Sequence, residues 1–486
     1  MARSLLPGAD EETLAEINLQ LTSRRDRARA VAYPSVSVSE AQVEKVLSQC
    51  MPLAMLLPGA RPVLTTGGAA RRGGGGSGGE EEGGAAALLA ALARAAEARL
   101  GWTLPWPLRP PRARGSLPAP QLISWHAQRQ WLAVGHAAAD AALIYDLDAA
   151  PSASVPDCVE EAALVLTHEL QSGLSSLAWR PVHCTMLAAG CRGGVVLWAL
   201  GRQPAGGAGF QRAAAGGNGN GGGAGGAVGG AAWASFLRYS DGCSVTALAW
   251  SPDGRLLAGA GPDSSRLVVW DAALGAGAVV RLGLDPLTLL RWSPCGGYLF
   301  AAGAGGRFHV AETATWRTAA WAAPAGGHVA AAAWAPSGRA ALVAFGGGSG
   351  AGGVVALHFV GASPSLTEQL LPVTLPEVTS LDVLKGGPLR GGCIADLAWD
   401  PSGRRLAALL RPPHPAAGLV AVFATSVAPV AHAELLGFAC AAKAGDGGAA
   451  AALAFAPRAA KGGALLSVMV AGGAGEVRVA NIALAR

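Results

Sequence analysis

A strand-turn-strand unit ending in tryptophan recurs along this chain, and it limits the possible folds more than any other feature. Val245-Thr-Ala-Leu-Ala-Trp250 has apolar residues on both alternating faces, so both faces of this strand are expected to be buried. Ser251-Pro252-Asp253-Gly254 then supplies turn chemistry: proline presets φ, and glycine accepts the positive φ of a tight reversal. A second strand begins at Leu256, Pro262-Asp263-Ser264-Ser265 turns the chain again, and Leu267-Val-Val-Trp270 is a third strand. So small a sheet cannot bury its own faces and has to stack on copies of itself.

The copies are present. Leu290-Arg-Trp-Ser-Pro-Cys-Gly296, Ala333-Trp-Ala-Pro-Ser-Gly338, Leu397-Ala-Trp-Asp-Pro-Ser-Gly403 and Leu177-Ala-Trp-Arg-Pro181 repeat the unit, and Leu122-Ile-Ser-Trp125 and Leu453-Ala-Phe-Ala-Pro457 are degenerate first and last copies. Trp250, Trp292 and Trp334 stand 42 residues apart, within the roughly 40–45 residue period of a propeller blade. Third strands follow at Ala142–Asp146, Val195–Trp198, Leu267–Asp271, Phe308–Val310, Val354–Phe359, Leu419–Phe423 and Val477–Val479. The pattern predicts an all-β fold, a seven-bladed WD-repeat β-propeller over 121–486, preceded by a partly helical, partly disordered N-terminal extension over 1–120.

In that extension, weak helices are expected at about 11–30, 40–57 and 85–100, with a Gly-rich hinge at 67–84. The first would be capped by Asp10 and end in Arg24-Arg25-Asp26-Arg27-Ala28-Arg29, read as a solvated basic helix end. Leu88, Leu89, Leu92 and Ala96 form a stripe that suits docking on the propeller first, and otherwise a partner or a membrane surface. Within the propeller, a disordered Gly/Ala insertion is expected at about 201–230, with Trp233–Arg238 resuming as an outer strand, and a loop excursion at about 363–392. Few residues follow Val479, so a segment upstream of Leu122 is expected to pair there and close the ring.

Chemistry is absent from the motifs. There is no phosphate-binding GxxxxGK[ST] loop, HExxH, EF-hand loop or GxSxG elbow, and the eight cysteines show neither CxxC nor zinc spacing. His183-Cys184 falls in a turn and reads as structural. Asp263 with Trp270-Asp271, and Gly327-His328, read as the hydrogen-bonding positions of a WD repeat, and the strand-ending tryptophans read as core. The cysteines, among them Cys191, Cys295 and Cys393, read as reduced, buried thiols. No catalytic residue, cofactor or metal is expected, and no partner-binding residue can be nominated. A net charge of +5 that is not gathered on one repeat makes no case for direct nucleic-acid binding. The opening residues predict no secretory leader, and no apolar run is long enough to span a membrane.

Several stretches go beyond generic propeller positions: Ala189-Gly-Cys-Arg-Gly-Gly-Val-Val-Leu-Trp198, Leu289-Leu-Arg-Trp-Ser-Pro-Cys-Gly-Gly-Tyr-Leu-Phe300, Leu370-Leu-Pro-Val-Thr-Leu-Pro376, Ala398-Trp-Asp-Pro-Ser-Gly-Arg-Arg-Leu-Ala407 and Gly418-Leu-Val-Ala-Val-Phe423. With them, and with Glu16-Ile-Asn18 near the start, the sequence resembles the aladin family, WD-repeat nucleoporins of the nuclear pore complex. The resemblance implies a non-enzymatic scaffold at the nuclear envelope whose partners are other nucleoporins. A transmembrane nucleoporin in particular would hold it at the pore, so membrane association would be indirect. It also implies links to nuclear import and to spindle organisation. The alternative is a generic WD-repeat adaptor, such as a ubiquitin-ligase substrate receptor. Such adaptors often carry Trp-Asp-x-Arg after the third strand, whereas here Ala272-Ala273 follow Trp270-Asp271.

Overall fold

The turn that follows each inner strand has one construction in four places. Gly254, Gly296, Gly338 and Gly403 donate their N–H to the carbonyl three residues back, at 2.8–2.9 Å, and hold φ between 70° and 75°. At Gly254 a side chain would also meet the Pro181 carbonyl at 2.9 Å, so glycine is required there twice over.

The computed structural model contains six four-stranded antiparallel sheets, and four of them carry this turn after the inner strand. Their inner-to-outer strands are Ile123–Trp125, Trp131–His136, Ala141–Asp146 and Leu164–Leu166 in blade one, and Ser176–Trp179, Met186–Cys191, Gly194–Leu200 and Ala232–Arg238 in blade two. Blade three is Ala247–Trp250, Leu256–Ala260, Leu267–Asp271 and Ala276–Val280, and blade four is Leu287–Trp292, Tyr298–Gly303, Arg307–Glu312 and Thr318–Ala322. Blade five is His328–Trp334, Ala340–Gly346, Val354–Phe359 and Glu368–Val373, and blade six is Ile394–Trp399, Arg405–Leu410, Val420–Ser426 and His432–Ala439. Blade seven has Ala449–Phe455, Ala464–Ala471 and Val477–Leu484 from the end of the chain. Inner strands of successive blades touch in cyclic order, and the seventh touches the first, so the seven sheets form a ring.

The structure describes residues 12–17, 19–23, 33–39, 122–147, 158–159, 162–182, 185–200, 232–240, 242–284, 286–323, 327–346, 353–359, 368–373, 394–412, 416–427, 431–441, 449–458, 463–471 and 476–484. All belong to the compact unit Met1–Met51 with Leu117–Arg486; the other unit, Pro52–Ser116, lies outside the described residues. The helices expected at 40–57 and 85–100, the hinge at 67–84 and the insertion at 201–230 also lie outside them.

The helix expected at about 11–30 is not what forms. Its described part is a hairpin, β1 (Thr13–Ile17) and β2 (Gln20–Ser23), in which Ile17 pairs with Gln20 across a two-residue turn. Tertiary pairing overrides a weak helix propensity: β1 lies parallel to the last strand, Ala15 opposite Ala483, and Glu12, Thr13, Ala15 and Glu16 are buried. β3 (Ser35–Val38) runs antiparallel to the other half of that strand, Val36 opposite Val479 and Val38 opposite Val477. Residues before Leu122 therefore complete blade seven, as the short C-terminal end led us to expect, and the propeller begins well before residue 121. Within the excursion expected at 363–392, where the sequence predicts an extended Leu371–Pro376, Glu368–Val373 is the outer strand of blade five, so the strand starts earlier and belongs to the blade.

The second strands of blades one, four, five and six are buried along their whole length, Trp131–His136 and Ala340–Gly346 among them. Each sheet is covered on both faces by its neighbours, so these strands read as continuous apolar runs rather than alternating ones. Leu409 and Val422 of blade six, for example, share a core with Leu466, Val468 and Ile482 of blade seven. In blades four to seven the inner strand carries a β-bulge at Thr288, Ala330, Ala395 and Ala451, which sharpens its twist around the axis.

Candidate functional site

The inner strands enclose a channel of about 490 Å³. Trp125, Trp179, Trp250, Trp292, Trp334, Trp399 and Phe455, the last residues of those strands, form a collar at its wide end. Three indoles bond from blade to blade in one repeating way. Trp250 Nε1 donates to Ala178 O at 3.1 Å, Trp292 Nε1 to Ala249 O at 3.0 Å, and Trp334 Nε1 to Arg291 O at 3.1 Å. Each acceptor precedes the tryptophan of the previous blade, so the collar is a girdle that fixes the angle between neighbouring sheets. The reading of these tryptophans as core holds for burial, but their edges also line a channel.

The residue just before each aromatic also lines the channel. It is Ser124, Ala178, Ala249, Ala333, Ala398 or Ala454 in six blades, and Arg291 in the fourth. Small side chains keep the channel open, and blade four places one guanidinium in it. Asp396 of blade six lines the same space. Its Oδ1 accepts from Leu397 N at 2.9 Å and its Oδ2 from Leu453 N at 3.0 Å. The Arg291 side chain has one hydrogen bond among the described residues, Nη1 to Leu290 O at 3.1 Å. Both groups are surrounded by protein except where they face the channel. Burial pushes Arg291 below its ordinary range, with Asp396 acting the other way, and burial raises the Asp396 carboxyl against the pull of Arg291 and the two N–H donors. Past them the channel narrows to a space of about 30 Å³ beside the bulge residues.

A second polar system sits at the seam where the ring closes. Trp125 Nε1 donates to Ser467 Oγ at 3.0 Å, Ser467 Oγ to Asn481 Oδ1 at 2.5 Å, and Asn481 Nδ2 to Pro34 O at 2.6 Å. This buried relay joins blade one, blade seven and the N-terminal segment. Glu16 of β1 receives a bidentate pair from Arg405 of blade six, Nε at 2.9 Å and Nη2 at 2.7 Å, both side chains being almost fully buried. Arg478 Nη2 meets Glu12 Oε1 at 2.8 Å, and Thr13 and Cys440 exchange bonds of 3.0 and 3.1 Å.

The WD-repeat positions nominated from sequence do not form the expected tie. Asp263 Oδ2 accepts from Ser244 N at 3.2 Å, Asp271 pairs with Arg255 at 3.0 Å, and His328 of blade five lies 3.4 Å from Arg411 of blade six. In blade two the strand tryptophan is held through glutamine: Trp198 Nε1 donates to Gln171 Oε1 at 2.7 Å, and Gln171 Nε2 reaches Asp140 O in blade one at 2.7 Å. His183-Cys184 and Cys393 lie outside the described residues. Cys191 is buried, its thiol pushed up to about 11 by that burial, but Cys295 is exposed, contrary to the reading of the cysteines as buried. Arg291, Asp396 and the Glu16–Arg405 pair were missed. Aligning the residues that precede the tryptophans would have found Arg291, the one charge in a column of Ala and Ser.

Residues 235–271, from the outer strand of blade two to the third strand of blade three, match the WD domain, G-beta repeat family model. A chain of a solved mitotic checkpoint complex aligns at 18% identity with a TM-score of 0.40, over 59% of this chain and 70% of that one, a likeness too distant to bear on function. Aladin of Arabidopsis thaliana is 36% identical over 326 residues, which is 65% of this chain and 67% of that protein. Together with the ring of WD-type blades, this identity settles the family: the chain belongs to the aladin family of WD-repeat proteins.

Proposed function

We propose that this chain is a non-enzymatic scaffold nucleoporin of the nuclear pore complex, a protein–protein interaction platform at the nuclear envelope. A transmembrane nucleoporin holds it there, so its membrane association is indirect, and from that position it supports nuclear import and takes part in spindle organisation. The observation that carries this reading is the 36% identity to Aladin over 326 residues. A closed ring that presents two rims and seven outer edges also suits a part that several partners grip at once.

Live imaging of the fluorescently tagged full chain beside a pore marker tests it. Punctate nuclear-rim signal coincident with the marker is expected, and diffuse cytoplasmic signal overturns the reading. Proximity labelling from the same tag is expected to mark a transmembrane nucleoporin among the strongest neighbours.

A further inference from the structure

The channel is built more selectively than ring closure requires. Alanine before the collar residue is sufficient for the fold in blades two, three, five, six and seven. Arg291 replaces it once, at the cost of enclosing a guanidinium. A planar guanidinium carries five donors, and one hydrogen bond of this side chain is accounted for. Asp396, in contrast, has a backbone N–H on each oxygen. Asp396 acts electrostatically on Arg291 across the channel, but no hydrogen bond joins the two side chains among the described residues, so the guanidinium keeps donors that suit a second carboxylate, which it binds in bidentate fashion.

The surroundings of the wide end agree in sign. The turns that follow the inner strands carry exposed Arg129, Arg255, Arg339, Arg404 and Arg458, of which Arg255 is engaged by Asp271. On the same turns the acids Asp253 and Asp400 are tied to Ser251 and Ser402. Beyond Arg291 the channel narrows to about 30 Å³, room for about one water, so a chain entering from the collar stops there while one side chain reaches the guanidinium. Nucleic acid fits less well. Stacking needs exposed aromatic faces, and Trp179, Trp250, Trp334 and Trp399 are buried, with most of their N–H groups committed within the ring.

We propose that the tryptophan-collared mouth docks an extended acidic segment of a partner protein, with one Asp or Glu side chain of that segment inserted between the indoles to pair with Arg291. The rim arginines meet the neighbouring acidic residues. This assigns a surface and a ligand chemistry to the scaffold and holds wherever in the cell the chain resides.

Selection of a random 12-residue peptide library on the immobilised full chain tests it, followed by fluorescence anisotropy with the labelled winners. The expected winners share an acidic position next to apolar residues. Changing that acid to its amide, or changing Arg291→Gln in the protein, is expected to weaken binding at least tenfold, and both changes together to cost no more than either alone. Ala178→Leu, which narrows the channel from a different blade and leaves Arg291 in place, is expected to weaken binding to a similar degree and keeps the test decisive if Arg291→Gln fails to fold. The proposal is overturned by a library that yields no binder, by winners without a common acid, by winners indifferent to Arg291→Gln or Ala178→Leu, or by a single-stranded 20-nucleotide DNA that occupies the same mouth and displaces the peptides.

Discussion

Replacing Glu16 by alanine isolates the contribution of the N-terminal hairpin to ring closure. The Glu16 carboxylate accepts two hydrogen bonds from Arg405 at 2.9 and 2.7 Å, and the two side chains are 0% and 6% exposed. Removing one partner of such a pair leaves an uncompensated buried charge, at a cost of about 3–5 kcal/mol. At about 1.4 kcal/mol per factor of ten, the opening constant of the seam rises by about 10²-fold to several thousandfold. Because the pair joins β1 to blade six, and β1 lies on the last strand, the effect is local. Hydrogen exchange read by mass spectrometry is expected to show faster exchange in Thr13–Ser23 and Val477–Leu484, while blades three and four keep their protection. A Glu16→Leu, Arg405→Leu double variant should recover most of the loss, since packed apolar groups replace a buried pair at little cost. Unchanged protection at the seam, or equal loss in every blade, refutes the reasoning.

Three further outcomes are expected. Trp334→Phe, which keeps an aromatic ring near Tyr298 and Phe359 but removes the bond to Arg291 O, should cost about 0.5–1.5 kcal/mol, whereas Trp334→Ala should cost about 3–5 kcal/mol, both by denaturant unfolding. Burial holds His126, His309, His328 and His358 below the ordinary histidine range, with nearby arginines adding to this for the first three. The unfolded chain then binds more protons than the folded one as pH falls below about 6.5, so stability declines with acidification down to the folded-state values; thermal melts from pH 7.5 to 5 should show it, and His328→Gln should shallow the slope. In native protein at pH 7.5, site-resolved iodoacetamide labelling should modify exposed Cys295 readily and spare Cys191, whose thiol is pushed up to about 11, until the chain unfolds.

The repeating part of the fold was legible because one physical device recurs. Trp250, Trp292 and Trp334 sit at equal spacing because each ends the inner strand of a blade and the two intervening blades are of equal length, and the glycine after them is fixed by a positive φ. Outer strands were less legible. Ala276–Val280 is an exposed edge strand, and Glu368–Val373 contains a proline, so neither shows the periodicity of a buried element. The N-terminal hairpin was misread for a different reason. The acidic start of that segment suits a helix, but Glu12 and Glu16 are acids that pair with Arg478 and Arg405, residues more than 380 positions away in sequence. Only the closed ring brings them together. The channel charge Arg291 stands in plain view before Trp292, but its meaning depends on the alanines that precede the other collar residues facing the same space.

The ring itself is tested most directly by a covalent cross-link across its closure. Val38→Cys and Val477→Cys, introduced together, place two thiols opposite each other in antiparallel strands, within the range a disulfide spans. Mild oxidation of the folded double variant is expected to give an intramolecular disulfide between them, identified by peptide mapping, that either single variant lacks. Failure of that bond to form, or its formation only between separate molecules, contradicts a propeller whose last blade is completed by its own N-terminal strand.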